Sequence, residues 1–499
     1  MPVLTVCQGE KVLTLSFEGT PLLGDVLASH GLGVQQPCGG RGMCGKCAVR
    51  ATGRLSTPAQ AVLANGLRLA CQTTLLGDCE VQLAVPQGGA VIQAESFCPD
   101  GEAARRDPMP GRYGAAVDVG TTTLALSLFE LRTGRLLARQ AALNPQTQVA
   151  ADVIGRIGAA LAGKGPWLKQ AVLDRLEEML CSACARAGIR RQAVASLVVT
   201  GNTTMLYLLT GRDPEPLSHA PFHADTLFGC LVPLPGARAY LPPCMDAFVG
   251  ADITCAVLAS DMCERAETSL LMDVGTNGEV ALWHDGRLYV ASTAAGPAFE
   301  GVGISCGCGS IGGAINRVQL VNGRLTAHTI GETAPMGLCG SGLIDAIAAL
   351  LALGKIDETG SMDQDHVVIA GEVFLSARDV RSVQLAKGAV AAGVRTLLRH
   401  AGVAPEQVHT LYIAGGFGSH LNIHSAAAIG LVPSALTDRV QVLGNAALAG
   451  AESLLLDQSR IRQAERIAQG TQSVLLGGNP VFAELYMECM TFDAEGATQ

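Results

Sequence analysis

The sequence predicts a mixed chain in two parts: a small α+β unit at the front, then a long α/β body built from two copies of one plan. Three observations predict it. Three cysteines crowd into a glycine-rich stretch from Cys38 to Cys47, with a fourth at Cys71. An apolar strand that ends in Asp and a tight glycine turn occurs twice, at 116–123 and at 271–278. Each copy is followed by a buried strand that runs into another glycine turn, at 197–204 and at 411–418.

Composition bounds the reading. A chain of 499 residues has room for two or three domains. With 48% apolar and 16% charged residues it can build a large core. The net charge of −9 argues against nucleic acid or an anionic membrane as the main partner. No run of 18 or more uncharged apolar residues and no signal peptide are visible, so a cytoplasmic protein with no membrane partner is expected. Seventeen cysteines in so long a chain do not fit a small secreted disulfide scaffold. In a reducing compartment they are buried hydrophobes, metal ligands or reactive thiols.

Residues 1–86 form the first unit. Alternation at 3–6 and 12–15 predicts a hairpin around Gln8 and Lys11. Thr20 and Pro21 open a short helix over 22–29, which Gly31 stops. Then come Cys38, Cys44 and Cys47, spaced C-x₅-C-x₂-C, and Cys71. Three thiols among glycines cannot pack as a core. Glycine lets such a loop wrap a ligand and turn N–H groups toward sulfur. Four thiolates is the ligand count of a [2Fe–2S] cluster; a four-cysteine zinc site is the alternative, less suited to the uneven spacing. Cys7 and Cys79 fall in predicted strands and read as core. Residues 87–112 are rich in Pro, Gly and charge, have no helix or strand period, and read as a linker that tethers the first unit with freedom to move.

Residues 113–260 form the first half of the body. Its hairpin carries Asp118, Gly120, Thr121, Thr122 and Thr123. Such a tip suits a phosphate: glycine allows close approach, successive N–H groups point at the anion, and hydroxyls add donors. The Asp at the strand end can hold Mg²⁺, usually through water. A helix around 153–157 and another over 173–187 follow; Cys181 and Cys184 on the latter read as packing. The strand at 197–201 enters a turn with Asn202. Asp252, after Gly250, opens an apolar helix. An Asp there is most often a partner for the positive helix end, but this one also stands where a γ-phosphate is expected.

Residues 261–499 form the second half. Its hairpin carries Asp273, Gly275, Thr276 and Asn277. Gly340 and Ser341 lie in a glycine cluster that opens a helix, a place where a flat or anionic ligand can come close. Gly415 and Gly416 follow the strand at 411–414. The last strand and helix are expected at 440–445 and 446–456.

The front unit resembles the [2Fe–2S] ferredoxins of the adrenodoxin type in its longer cysteine loop, and their β-grasp fold in its order of hairpin, helix, cluster loop and closing strand at 79–83. The body resembles the actin, sugar-kinase and heat-shock-chaperone superfamily, in which two ribonuclease-H-like halves close on ATP. That resemblance covers roughly 113–499. It implies that the tips at Asp118–Thr123 and Asp273–Gly278 are phosphate loops, that Asn202 lies on the nucleotide, that Gly340, Ser341, Gly415 and Gly416 lie near the adenosine, and that Asp252 stands where sugar kinases carry a catalytic Asp.

A [2Fe–2S] unit in front of such an ATPase resembles the reductive activators of corrinoid proteins. The phrases at 295–301, 304–307, 384–389 and 413–418 are similar to that family's. The resemblance implies an ATP-dependent electron donor that returns the Co(II) corrinoid of a methyltransferase partner to Co(I), itself reduced by an upstream donor. This chain has a shorter linker than the longer members, no large domain between cluster unit and ATPase, and a second thiol, Cys308, after Cys306. Neither the corrinoid protein, the donor nor the oligomeric state, a homodimer among the options, is fixed. Three other functions remain open at this point. A small-molecule kinase with Asp252 as base leaves the cluster unexplained. An activator of a 2-hydroxyacyl-CoA dehydratase uses a [4Fe–4S] cluster between subunits, which Cys306 and Cys308 do not suit. The third is a chaperone-like binding module.

Overall fold

The structure, a computed structural model, describes residues 1–8, 11–30, 32, 34, 42, 47–63, 66–83, 107–415 and 420–492. Cys38, Cys44, Cys98 and Gly416 lie outside the described residues. Contacts divide the chain into two compact units, 1–89 with 145–172 and 90–144 with 173–499. Residues 145–172, placed by the sequence in the 113–260 half, thus cluster with the first unit.

In the first unit, strands β1 (Val3–Gln8) and β2 (Lys11–Ser16) pair antiparallel with Gln8 opposite Lys11. Helix α1 (Leu23–Ser29), β3 (Ala48–Ser56), β4 (Arg68–Leu69) and β5 (Thr74–Leu83) complete it. The sheet order is β2-β1-β5-β3-β4, with β1 and β5 parallel. Strand β5 alternates strictly, burying Leu75, Cys79, Val81 and Leu83 and exposing the residues between. That is the period of a sheet with one face on a core. Leu23 and Leu27 of α1 join Leu4, Val6, Leu75 and Val81 there, all fully buried. Parallel first and last strands with one helix against the sheet give the expected β-grasp plan. Helix α2 (Val153–Ala159), capped by Asp152, and the front of α3 (Gly165–Ala187) cluster with this unit.

The second unit holds two six-stranded sheets. The first is built from β6 (Tyr113–Val119), β7 (Thr123–Glu130), β8 (Arg135–Leu143), β9 (Val194–Gly201), β10 (Cys230–Leu234) and β11 (Ala237–Leu241), with helices α4 (Thr203–Thr210) and α5 (Ala251–Ser260). The second is built from β12 (Ser269–Val274), β13 (Gly278–His284) and β14 (Arg287–Thr293). Between these and the rest of that sheet lie β15 (Ala314–Val321), β16 (Arg324–Thr329), β17 (Gly337–Leu338), α6 (Gly340–Ala352), β18 (His366–Ala370), β19 (Val373–Ser376) and the long helix α7 (Ala377–Ala401). Strand β20 (Thr410–Ala414), α8 (Ile423–Ala428), β21 (Val440–Gly444), α9 (Ala446–Leu456), α10 (Ser459–Gly470), β22 (Thr471–Ser473) and α11 (Pro480–Glu488) follow.

The two orders are β10-β11-β9-β6-β7-β8 and β21-β20-β12-β13-β14-β22. In each, three antiparallel strands meet a parallel neighbour on the first, and a further parallel strand lies outside that. The duplicated plan read from two hairpins is therefore a duplicated sheet, as in the ribonuclease-H-like halves. Near-continuous apolar runs such as 197–199 and 411–414 are the parallel, doubly covered strands. Helices α5 and α9 approach so closely that a Cβ at Gly450 would lie 2.1 Å from the carbonyl oxygen of Cys255.

Some expectations change. Strand β21 and helix α9 are not the last elements, because α10, β22 and α11 follow. The three residues of β22, paired to β14 at a sheet edge, are too few for alternation to register. Cys7 is only half-buried, with its thiol 3.7 Å from the Glu80 carboxylate. Of the pair on α3, Cys184 is buried but Cys181 is exposed beside Glu177. The described cysteines are free thiols. Among the described residues, no helix is long and apolar enough to cross a membrane.

Candidate cluster site and nucleotide cleft

The cysteine site can be followed at two of its four expected ligands. Ala48 of β3 pairs with Leu69 of β4, and the amide of Ala70 donates to the carbonyl of Cys47 at 3.0 Å. This pairing sets Cys47 beside Cys71. Both are buried, and their sulfurs stand 3.3 Å apart. That is well beyond the ~2.05 Å of a disulfide. It approaches the roughly 3.8 Å expected of two thiolates on one tetrahedral metal with bonds of ~2.3 Å. Two buried, unbonded thiols at this spacing fit a shared iron.

The cleft is built by the two hairpins. In the first, Asp118 is the last residue but one of β6 and the chain turns through Gly120, whose N–H donates to the carbonyl of Thr123 at 3.0 Å. The second repeats the turn: Gly275 N–H donates to the carbonyl of Asn277 at 2.9 Å. The first tip is then held by side chains from other elements: the Asn144 amide donates to the Gly120 carbonyl at 2.8 Å, and two helix-capping asparagines join it. Asn202 caps α4, accepting the Met205 N–H at 2.9 Å, and its amide donates to Thr121 Oγ1 at 3.1 Å. Asn445 caps α9, accepting the Leu448 N–H at 2.8 Å, and its amide donates to Asp118 Oδ2 at 2.9 Å. Both asparagines follow a strand that ends in glycine, so each is an N-cap with a spare amide aimed at the first tip.

On the second tip, Gly415 follows β20 at φ +85°, and a Cβ there would lie 2.6 Å from Asp273 Oδ1. Only glycine fits that backbone next to that carboxylate. Across the hairpin, Glu279 stands opposite Asp273 and accepts from Ser292 Oγ at 3.2 Å. Asp252 lies in the first turn of α5. Gly250 before it lies so near Asn202 that a Cβ would fall 2.4 Å from the Asn202 Cα.

Four carboxyls therefore converge. Burial pushes Asp118 up to about 7; the Asn445 amide pulls it back and the Asp273 charge adds to the rise. Burial raises Asp273 to about 6. Asp252 is pushed up to about 8, by burial and then by Asp118 and Asp273. Glu279 is held well above the usual carboxylate range by burial and then by Asp252 and Asp273. Acids crowded in this way resist ionising; among the described residues, no group of three or more is spaced to hold a metal ion directly. The tip hydroxyls also converge: Thr122 Oγ1 donates to Glu300 Oε2 at 3.1 Å and Thr276 Oγ1 to Glu300 Oε1 at 2.9 Å.

The structure thus brings Asp118, Asp252 and Asp273 together with both tips, Asn202 and Gly415. Gly340 and Ser341 are buried at the start of α6, and the Ser341 hydroxyl donates to the Asn316 carbonyl at 2.9 Å. Sequence reasoning missed Asn445, Glu279 and Glu300. The repeat of Gly201-Asn202 as Gly444-Asn445 could have signalled the first, and a lone acid at the head of an apolar strand the second.

Known proteins were compared with this chain. Residues 7–76 match the family described as a 2Fe-2S iron-sulfur cluster binding domain, 113–265 the RACo middle region, and 267–499 the C-terminal domain of RACo, the ASKHA domain. The "Corrinoid activation enzyme RamQ" of Eubacterium limosum is 35% identical over 75% of this chain and 69% of its own length. The "[Co(II) methylated amine-specific corrinoid protein] reductase" of Methanosarcina barkeri is 24% identical over 77% and 78%. Among solved structures, a "Reductive activator for corrinoid,iron-sulfur protein" covers 98% of each chain at 26% identity with a TM-score of 0.72. With all three regions matched in order and a relative this similar across most of both lengths, the chain belongs to the RACo family of corrinoid activators.

Proposed function

We propose that the chain is an ATP-dependent reductive activator that delivers one electron to the Co(II) corrinoid of a methyltransferase system, giving Co(I). One observation carries the reading: a single chain joins a ferredoxin-type unit with paired buried thiols to an acidic, two-tipped nucleotide cleft. Cys38, Cys44, Cys47 and Cys71 hold the [2Fe–2S] cluster. When bound, that cluster supplies the electron, at a potential near roughly −400 mV in its plant-type relatives. Reduction of Co(II) is uphill from there, so ATP must shift the balance through differential binding of partner states.

In the cleft, Asp118 and Asp273 anchor Mg²⁺ through water. The amides and hydroxyls of Gly120, Thr121, Thr122, Thr123, Gly275, Thr276 and Asn277 hold the phosphates. Gly340, Ser341, Gly415 and Gly416 lie along the adenosine. Asp252, raised toward neutrality, is placed to take a proton from the attacking water. An upstream donor re-reduces the cluster, and the work takes place in the cytoplasm. A kinase would use the same cleft but gives the thiol pair no task.

The test follows the Co(II) band into the Co(I) band with purified corrinoid protein and prereduced activator. Conversion is expected only with MgATP. Cys47→Ala should deliver no electron while still hydrolysing ATP. Co(I) forming at full rate without ATP would refute the coupling.

A further inference from the structure

Glu300 carries no role in the reading above, yet it touches both tips. Its carboxylate spans from Thr122 on the first hairpin to Thr276 on the second, one oxygen to each hydroxyl. Its position is built rather than incidental. It ends a 3-10 turn, Pro297–Glu300, anchored by buried Ala298 and Phe299. The next residue, Gly301 at φ +75°, is pressed on the Cys308 backbone so closely that a Cβ would lie 2.5 Å from its nitrogen. The segment beyond is tied down as well: Ser305 donates from its N–H at 2.7 Å and its hydroxyl at 3.0 Å to Asp379, the buried capping acid of α7.

The two hydroxyls that Glu300 accepts from are those the tips offer to a phosphate. A carboxylate and a phosphate are both anionic acceptors, so they cannot share these donors without strong repulsion. We propose that Glu300 is a positioning residue that stands in for the terminal phosphate: it holds the Thr122 and Thr276 hydroxyls at phosphate spacing across the cleft, and the γ-phosphate of ATP must displace it. Glu300 would then set how much ATP is needed to occupy the cleft. It would weigh on ATP more than on ADP, which does not reach so far. The inference rests on the nucleotide reading of the cleft.

The test is steady-state hydrolysis of MgATP, and titration calorimetry with a non-hydrolysable ATP analogue and with MgADP, on the full chain and two variants. Glu300→Gln keeps the span but removes the charge. Glu300→Asp keeps the charge but is too short to reach both hydroxyls. For Glu300→Gln the KM for ATP and the analogue Kd should fall about tenfold, the scale of exchanging a charged for a neutral hydrogen bond. The MgADP affinity and kcat should change less than threefold. Glu300→Asp should fall between Glu300→Gln and the unaltered chain. Three outcomes overturn the inference: a kcat loss of a hundredfold at unchanged KM, which makes Glu300 act on the reacting atoms; a raised KM, which makes it a holder of the cation; or no change. An unaltered chain that neither binds nor hydrolyses MgATP would instead overturn the reading beneath it.

Discussion

The first hairpin tip hangs from three asparagine amides, those of Asn144, Asn202 and Asn445, whereas the second is set among carboxylates and a glycine. The backbones match: each tip closes with a glycine N–H on the carbonyl that follows the turn, and each Asp is the last residue but one of a strand flanked by a parallel neighbour. The difference lies in what surrounds them. Opposite Asp118 in its hairpin stands Ala125; opposite Asp273 stands Glu279. Asn445 donates to Asp118, while Gly415 offers Asp273 only backbone. Duplication of a fold has fixed where two crowded carboxylates stand, and divergence of neighbours has braced one with an amide and set a further carboxyl opposite the other.

The largest effect should come from the two acids themselves. Asp118→Asn or Asp273→Asn should each lower MgATP turnover on the order of a hundredfold, the scale of losing one preorganised charge-stabilising group. Nucleotide should still bind, because the adenosine contacts survive. The comparison sharpens in nucleotide-free melting curves. Asp273→Asn relieves Asp252 and Glu279 and sacrifices no amide bond, so it should raise Tm at pH 8. Asp118→Asn also relieves Asp252 but gives up the charged bond to Asn445, so it should raise Tm less. Near-normal turnover in both variants would remove the phosphate-loop assignment; equal Tm gains would remove the asymmetry.

A smaller effect is set by pH. Asp118, Asp273 and Asp252 have folded values of about 7, 6 and 8, all above the ordinary value of 3.8. An acid whose folded value is raised contributes stability that is full below its unfolded value and is lost as pH rises through its folded value. The nucleotide-free chain should therefore lose stability progressively up to about pH 8. Binding of the Mg–nucleotide, which needs ionised carboxylates, should strengthen over the same window and release protons. Calorimetry in buffers of different ionisation enthalpy measures that release. Asp252→Asn should flatten the Tm profile; an unchanged slope would show that the cluster is not its source.

Much of this asymmetry was beyond the sequence, for a physical reason. Strand alternation, glycine turns and the spacing of thiols are local, so the β-grasp unit, both tips, Asp118 and Asp273 were legible. Pairing across the cleft is not local. Asn445 reaches Asp118 only because β21 pairs with β20 and α9 packs on β6, and Glu300 reaches Thr122 only because the two hairpin tips come together. Glu279 is a middle case: it stands at the head of the returning strand β13, and hairpin register alone sets it opposite Asp273. Of the closing elements after α9, β22 is too short to carry a period, whereas α10 repeats apolar residues at helical spacing, Ile461, Ala464 and Ile467, and was legible.

The smallest expected effect separates the two helix-capping braces of the first tip, Asn202 and Asn445. Asn202 and Asn445 are both N-caps, and Asp caps a helix as well as Asn does, so Asn→Asp at either position should leave α4 or α9 intact. The partners differ. Thr121 offers a hydroxyl, which can turn and donate to a new carboxylate, so Asn202→Asp should keep its bond with the direction reversed. Asp118 offers only a carboxylate, so Asn445→Asp sets two acids at hydrogen-bond distance. They can share a proton at low pH but repel once both ionise. Asn202→Asp should thus hold turnover within about threefold and change stability by no more than surface substitutions do, roughly 0.5 kcal/mol. Asn445→Asp should match it near pH 5 and fall progressively behind, in both Tm and ATPase, as pH rises toward 8. Parallel pH profiles for the two variants would mean that the Asn445 amide is a cap and nothing more, and that the first tip has two braces rather than three.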